Sequence, residues 1–332
     1  MMPALRATPT ARAAQNPNLV VYQGDQGPGR GKHIVFLAGD QEYRSEETLP
    51  ALARILARRY GFKSSVLFTT DPATGSIDGG SNTIDGLDAL KTADLLVIFL
   101  RFRDFPDPQM QHIVDYLDRG GPVVGLRTAT HAFQIRRPDA KFLKYDWQAG
   151  EPYVKGFGRQ ILGETWVAHY GTNHKQSSRL LLQPDQASHP ILRGVKDVWV
   201  QSGGYVAAPI EGSVTLATGQ ILEGMTADAP PAKDKPIEYP VAWYRTYKSA
   251  SGKSGRVFTT THGASEDLLN EGFRRMVVNA CLWSVGLEAS IQPNGNVAFV
   301  GPYQPTTYNM GGWTKGVKPS DLAGWDSPIG KR

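Results

Sequence analysis

Short apolar, β-branched runs alternate along this chain with amphipathic stretches of helical period, and glycine, proline or polar clusters mark the junctions. Residues 33–38 predict a first core strand. A polar segment, 39–45, follows, and then a helix over residues 46–60 with Leu49, Leu52, Ile55 and Leu56 on one face. Ser45 is its expected N-cap and Gly61 its C-cap. Residues 64–68 and 95–100 predict two further strands, with a Gly/Asp/Ser-rich loop over 71–83 between them. A helix over 106–119 aligns Met110, Ile113, Val114 and Leu117. Gly120 and Gly121 then feed another buried strand, 122–126, which stops sharply at Arg127, Thr128, Thr130 and His131, before an expected helix.

The second half is less regular. Residues 134–155 read as an insertion carrying Tyr145, Trp147 and Tyr153. Segments 157–162 and 165–169 predict a hairpin or a bulged strand, and strands are expected at 198–201 and 215–224. A proline-rich loop spans 227–236. Segments 241–247 and 255–260 form a predicted hairpin around the turn 249–254, and a helix is expected over 273–285. Residues 1–31 are expected to form an extended or disordered arm. They lack the apolar region of a secretory signal, although residues 11–14 resemble the small-residue end of one. With no repeat and no long linker, a single elaborated domain over 32–289 is preferred, and residues 290–332 form an aperiodic tail expected to wrap the body or a partner subunit.

The β–α–β alternation implies an α/β fold, a mainly parallel sheet flanked by helices with right-handed crossovers. Composition narrows the function. Of 332 residues, 40% are hydrophobic and 20% charged, ordinary for a globular protein. The net charge of +5 is scattered, which argues against nucleic acid, and no apolar run is long enough to span a bilayer. The single cysteine, Cys281, excludes an intrachain disulfide and any multi-cysteine metal site, and its place in the last helix reads as core packing.

In open α/β sheets, ligands bind outside the carboxyl ends of the strands. The first strand delivers Asp40, Glu42, Tyr43 and Arg44 there, the third Arg101 and Arg103, the pivot strand Arg127, Thr128 and His131, and a late strand His262. The segment after 165 adds His169, Asn173 and His174. Asp40, His131 and His262 are the candidates for acid–base work, and the others for substrate contact. This mixture of arginines, carboxylates, hydroxyls and imidazoles suits a polyhydroxylated or anionic small molecule. The spacing of His169 and His174 is compatible with a divalent metal ion, although no HxH or HExxH pattern accompanies it. Structural alternatives stand beside each role. Asp40 and Glu42 can cap the helix or pair with Arg44, one of Arg101 and Arg103 should point away, and His131 and His262 can be packed or hydrogen-bonded residues.

The order of five motifs resembles the trehalose-utilisation (ThuA-like) family: IVFLAGDQEYR from Ile34, GGPVVGLR from Gly120, HPILRGV from His189, PVAW from Pro240 and GFRRMVVNACLW from Gly272. The tail segment GGWTKGVKPSD from Gly311 is similar to a planctomycete-type branch, whose members are often exported; a periplasmic or exported location is therefore an expectation, with a soluble cytoplasmic one as the alternative. The resemblance implies a flavodoxin-like, class I glutamine amidotransferase-like fold and a role in carbohydrate catabolism, including 3-keto-glycosides. Glutaminase chemistry needs a cysteine at the elbow after the pivot strand. Here that elbow reads Leu126-Arg127-Thr128-Ala129, so such chemistry is excluded. Arg127 also stands where many relatives carry histidine, and an always-protonated arginine takes over neither a base nor a metal-binding role. The expected partner is a small carbohydrate. The expected chemistry is proton abstraction beside a sugar ketone, followed by elimination, hydration or isomerisation. A non-catalytic carbohydrate-binding module is the alternative, and a homo-oligomer is left open.

Overall fold

The structure, a computed structural model, describes residues 18–331; the leader-like residues 11–14 lie outside the described residues. Its architecture follows from the alternation of side chains along the buried strands. The elements up to the pivot are β1 (Leu19–Gln23), β2 (His33–Gly39), α1 (Ser45–Tyr60), β3 (Lys63–Phe68), β4 (Leu95–Leu100), α2 (Asp107–Asp118) and β5 (Val123–Leu126). Ile34, Phe36, Val97 and Val124 point to one side of the sheet, where α1 packs. Val35, Leu37, Leu96 and Ile98 point to the other, where α2 packs. With helices on both sides, no strand face is left to water, which is why these runs are continuously apolar.

The remaining elements are β6 (His169–Tyr170), β7 (Ser178–Leu182), β8 (Trp199–Val200), β9 (Gly204–Tyr205), β10 (Val214–Ile221), β11 (Tyr239–Lys248), β12 (Ser254–Thr260), α3 (Glu271–Ser284), β13 (Tyr303–Gln304) and β14 (Ile329–Gly330). The main sheet runs β1-β3-β2-β4-β5-β12-β11-β10-β7-β8. Its middle five strands, β3-β2-β4-β5-β12, are parallel and give the flavodoxin-like order, and β1 and the last four strands extend it antiparallel. The chain leaves β2 toward β3 on one side and later returns to β4 on the other. The carboxyl ends of β2 and β4 therefore flank the crevice where such folds hold ligands.

Several expectations change. Part of the predicted arm, Leu19–Gln23, is the edge strand β1. Ser45 does not cap α1. Arg44 occupies that position with a left-handed φ of 64°, and the Ser45 hydroxyl accepts the Asp40 N–H instead. The helix expected after the pivot strand is a short 3-10 helix, Arg127–His131, and not an α-helix. Residues 157–162 form no strand. Gly158–Leu162 is a π-helical turn in which Gly158 lies against the Thr130 carbonyl so closely that a Cβ would sit 1.9 Å from its oxygen. Of segment 165–169 only His169 enters a strand, and β7 was not anticipated.

The tail lies along α1 and β1. Arg54 donates to the carbonyls of Ser327 and Leu322, Glu47 accepts from Thr306, and Trp325 packs on Tyr22. Where it crosses the start of α1 it closes a cavity of about 20 Å³, lined by Glu46, Glu47, Ile77 and Leu322. Both Glu46 carboxyl oxygens are buried without a hydrogen-bond partner among the described residues. Burial, then the Glu47 charge, and more weakly Asp40 against the opposing Arg44, raise the Glu46 pKa to about 8. An acid raised above its unfolded value stabilises the fold below that value and loses the contribution as pH rises. Stability should therefore fall between about pH 4.3 and the folded value, by at most ~1.4 kcal/mol per pH unit. Glu46→Gln is expected to flatten that slope in denaturant titrations taken across pH 5–8.

Candidate functional site

Four loops meet at the carboxyl edge of β2, β4, β5 and β12. The β2 loop is held by Asp40, which is fully buried. One carboxylate oxygen accepts from the backbone N–H groups of Glu42 and Tyr43, and the other accepts from the Thr128 hydroxyl at 2.9 Å. Burial raises its pKa against these donors and the nearby Arg101. With its oxygens engaged this way, Asp40 joins two loops beneath the site and does not offer a carboxylate to a ligand. Thr128 serves the same junction.

Tyr43 is the central side chain. Its hydroxyl lies 3.1 Å from His169 Nε2 and accepts from Asn173 Nδ2 at 2.9 Å. The Arg127 guanidinium lies 3.8 Å from the Tyr43 ring centroid and 5.0 Å from that of Tyr205. Arg127 is fully buried, has a left-handed φ of 42°, and donates through Nη1 to the carbonyls of Gly203 and Thr261. Burial opposes its charge, while Tyr205, Tyr43, Tyr308 and Asp267 favour it, and the balance raises its pKa. A bulky residue with positive φ is uncommon and persists where its surroundings fix it.

His131 shares Nδ1 with Thr130 Oγ1 at 3.1 Å, and its ring meets Phe102, Trp166 and Tyr205 at centroid distances of 4.7, 5.5 and 6.0 Å. Burial, then Arg101, His169 and Arg127, hold its pKa well below the usual value. His169, on the rim, is pushed down to about 4 by lost hydration and by Arg127 and Arg101. Both imidazoles are therefore neutral at pH 7. Opposite them, Arg101 pairs with Glu42 at 3.5 Å, both side chains largely shielded. Trp147 and Trp166 continue the aromatic wall into an adjoining groove of about 360 Å³. Aromatic faces beside charged hydrogen-bonding groups suit a sugar ring, apolar on one face and hydroxylated at its edge.

The other predicted residues lie elsewhere. Arg44 is turned onto the tail, donating to Thr306, Thr307 and Asn309. Arg103 is buried and ties the loop after β4, through the Arg101 carbonyl, to the loop before it, through the Ser81 carbonyl, with its pKa lowered to about 10 by burial. His174 is stacked on Tyr308 at 4.4 Å. His262 is fully buried, one layer below the pocket, beside Ser202. The two-histidine metal reading does not fit, because His169 shares Nε2 with Tyr43 and His174 lies flat on a tyrosine. Among the described residues no group of three His, Cys, Asp or Glu side chains is placed to hold an ion. Phe102, Trp166, Tyr205 and Tyr308 were not anticipated. Their signal was faint, aromatic residues inside polar loops.

The tail crosses above this cluster. Tyr308 packs on Tyr43 at 5.1 Å, the Gly311 N–H donates to the Gln41 carbonyl, and Met310 covers Arg101. No helix among the described residues is long and apolar enough to cross a membrane.

A family model described as trehalose utilisation (ThuA) matches residues 32–284. Among solved structures, a ThuA-like protein from Parabacteroides merdae is 11% identical, with 85% of this chain and 95% of that one covered and a TM-score of 0.47. One from Bacteroides uniformis is 12% identical, with 82% and 98% covered and a TM-score of 0.48. No curated protein matches the sequence.

Proposed function

The chain belongs to the trehalose-utilisation (ThuA) family, and from that premise we propose that it is an enzyme of carbohydrate catabolism acting on 3-keto-glycosides. The observation that carries the reading is a cluster of side chains: a neutral His131 set among Phe102, Trp166 and Tyr205 and held neutral in part by the Arg101 charge. A ketone at C3 acidifies the C2 hydrogen. His131 takes that proton, the C–H electron pair forms the enolate, and Arg101 stabilises its oxygen. Collapse of the enolate restores the ketone, forms the C1–C2 double bond and expels the glycosidic oxygen, which receives the proton back from the imidazolium. Glu42, paired with Arg101, orients the guanidinium.

The test is incubation of the full chain with a 3-keto-glycoside, with and without chelator, following release of the aglycone or second sugar. Release above the spontaneous rate is expected. Binding without release, unchanged in His131→Asn, would favour a carbohydrate-binding module on the same fold, and neither binding nor release would overturn both readings.

A further inference from the structure

Beneath the floor made by Tyr43 and Tyr205 lies a second polar cluster that the pocket chemistry does not use. Arg127 Nε and Nη2, Tyr205 Oη, Thr261 Oγ1 and His262 Nε2 are buried, and none has a hydrogen-bond partner among the described residues. The four residues are each at most 2% exposed. They adjoin one another. Arg127 Nη1 donates to the Thr261 carbonyl at 2.9 Å, its guanidinium lies over the Tyr205 ring, and a methyl group built on Gly204 would sit 3.7 Å from Thr261 Oγ1 and 3.8 Å from His262 Nε2. An orphaned buried polar group is costly, so a group of them in one place calls for a guest that satisfies them together.

The neighbouring hydrogen bonds define that guest. Asp267 accepts from the N–H groups of Ser202, Gly263 and Ala264 and from the Ser202 hydroxyl, at 2.6 Å. With its one hydrogen on Asp267, the Ser202 hydroxyl can only accept from His262 Nδ1, 3.0 Å away. His262 thus carries its proton on Nδ1, and Nε2 is a bare lone pair. Arg127 offers hydrogens only and His262 Nε2 accepts only. A hydroxyl group satisfies both, its oxygen on the guanidinium and its hydrogen on the imidazole.

We infer that Asp267 and Ser202 are positioning residues that fix His262 as a proton acceptor, and that His262 and Arg127 together bind a hydroxyl group, of water or of a sugar, poised for proton transfer. In that transfer the O–H bond breaks, its electron pair stays on the oxygen beside the Arg127 cation, and the proton forms the Nε2–H bond. Nothing is oxidised or reduced, and the imidazolium is stabilised through Ser202 by Asp267. Burial, and then Arg127, hold the free His262 in its neutral form. The catalytic use of this proton transfer rests on the sugar reading above; the tautomer and the bound hydroxyl do not.

The experiment uses the full chain labelled with ¹⁵N-histidine. The expected His262 spectrum has Nδ1 protonated and Nε2 bare, and Ser202→Ala should abolish that preference while the other histidine signals stay in place. Crystals grown with and without a 3-keto-glycoside supply the second arm. An ordered oxygen bridging Arg127 and His262 without sugar identifies water as the guest, and its replacement by a sugar oxygen identifies the substrate. An Nε2–H tautomer in the unmodified protein, or the absence of an ordered oxygen between Arg127 and His262 in both crystals, overturns the inference. Absence of turnover with both observations intact counts against the sugar reading alone.

Discussion

Replacing His131 by asparagine is expected to lower turnover of a 3-keto-glycoside by about 10²–10⁴-fold, the usual worth of a positioned general base. Asparagine keeps a polar atom near the Nδ1 position that meets Thr130 and removes Nε2, so the turn after β5 should survive. On the proposed reading the loss should fall mainly on kcat, because Phe102, Trp166 and Tyr205, the rings that surround His131, are left in place by the change. The unmodified protein carries its own internal check. Burial and the cations around His131 depress its pKa, so the acid limb of kcat/KM should lie well below the ~6.5 of free histidine. The same depression makes acid destabilising. The unfolded chain protonates this residue near 6.5 while the native state does not, so stability contributed by the neutral ring falls as pH drops through that value. An acid limb near 6.5, abolished by the asparagine change, would place the base in water instead of in this pocket.

Arg127→Met is expected to cost about 3 kcal/mol of stability as well as activity. Methionine can fill much of the volume, but the carbonyls of Gly203 and Thr261 lose their donor, and each orphaned acceptor costs ~1–3 kcal/mol. The rings of Tyr43 and Tyr205 lose the cation between them. Against this, the cost of burying a guanidinium disappears, which keeps the net figure below the sum of the losses. For 332 residues an unfolding entropy of ~2.1 cal/mol/K per residue converts 3 kcal/mol into a fall of about 4 °C in Tm. An unchanged midpoint in both thermal and denaturant unfolding would mean that the loops close without this residue.

The sheet was legible because its strands are apolar on both faces and bounded by glycine and polar turns; β2, β4 and β5 differ from expectation by a residue or less. The edge strand β1 was not, since five residues in a polar arm show no alternation until β3 supplies a partner. His169 and Asn173 reach the site from the segment around β6, which pairs antiparallel with β9 outside the main sheet. The convergence of Tyr43, Arg127 and His131 followed from the rule that parallel strands point their carboxyl ends one way. Which way each side chain turned did not. Arg44 and Arg103 looked like ligand arginines, and their direction depends on carbonyls of the tail and of the loop before β4, far away in sequence. Ser202 was hidden for the same reason, since it lies 60 positions from His262 in the chain. Asp267 is a near neighbour of His262 in the chain, but its link to that imidazole runs through Ser202, which only the fold brings there.

The placement of β12 beside β5 has a consequence for how the protein is made. Val123–Leu126 must wait for Val257–Thr260, synthesised more than a hundred residues later, before its second edge is paired. Thr261 and His262 emerge immediately after that strand, and Tyr308 later still. A nascent chain on the ribosome can thus assemble β1 to β4 early while the pivot strand keeps one side bare. Ribosome-associated folding helpers should find their main target in that interval, and chains truncated before residue 257 should be among those most prone to aggregate.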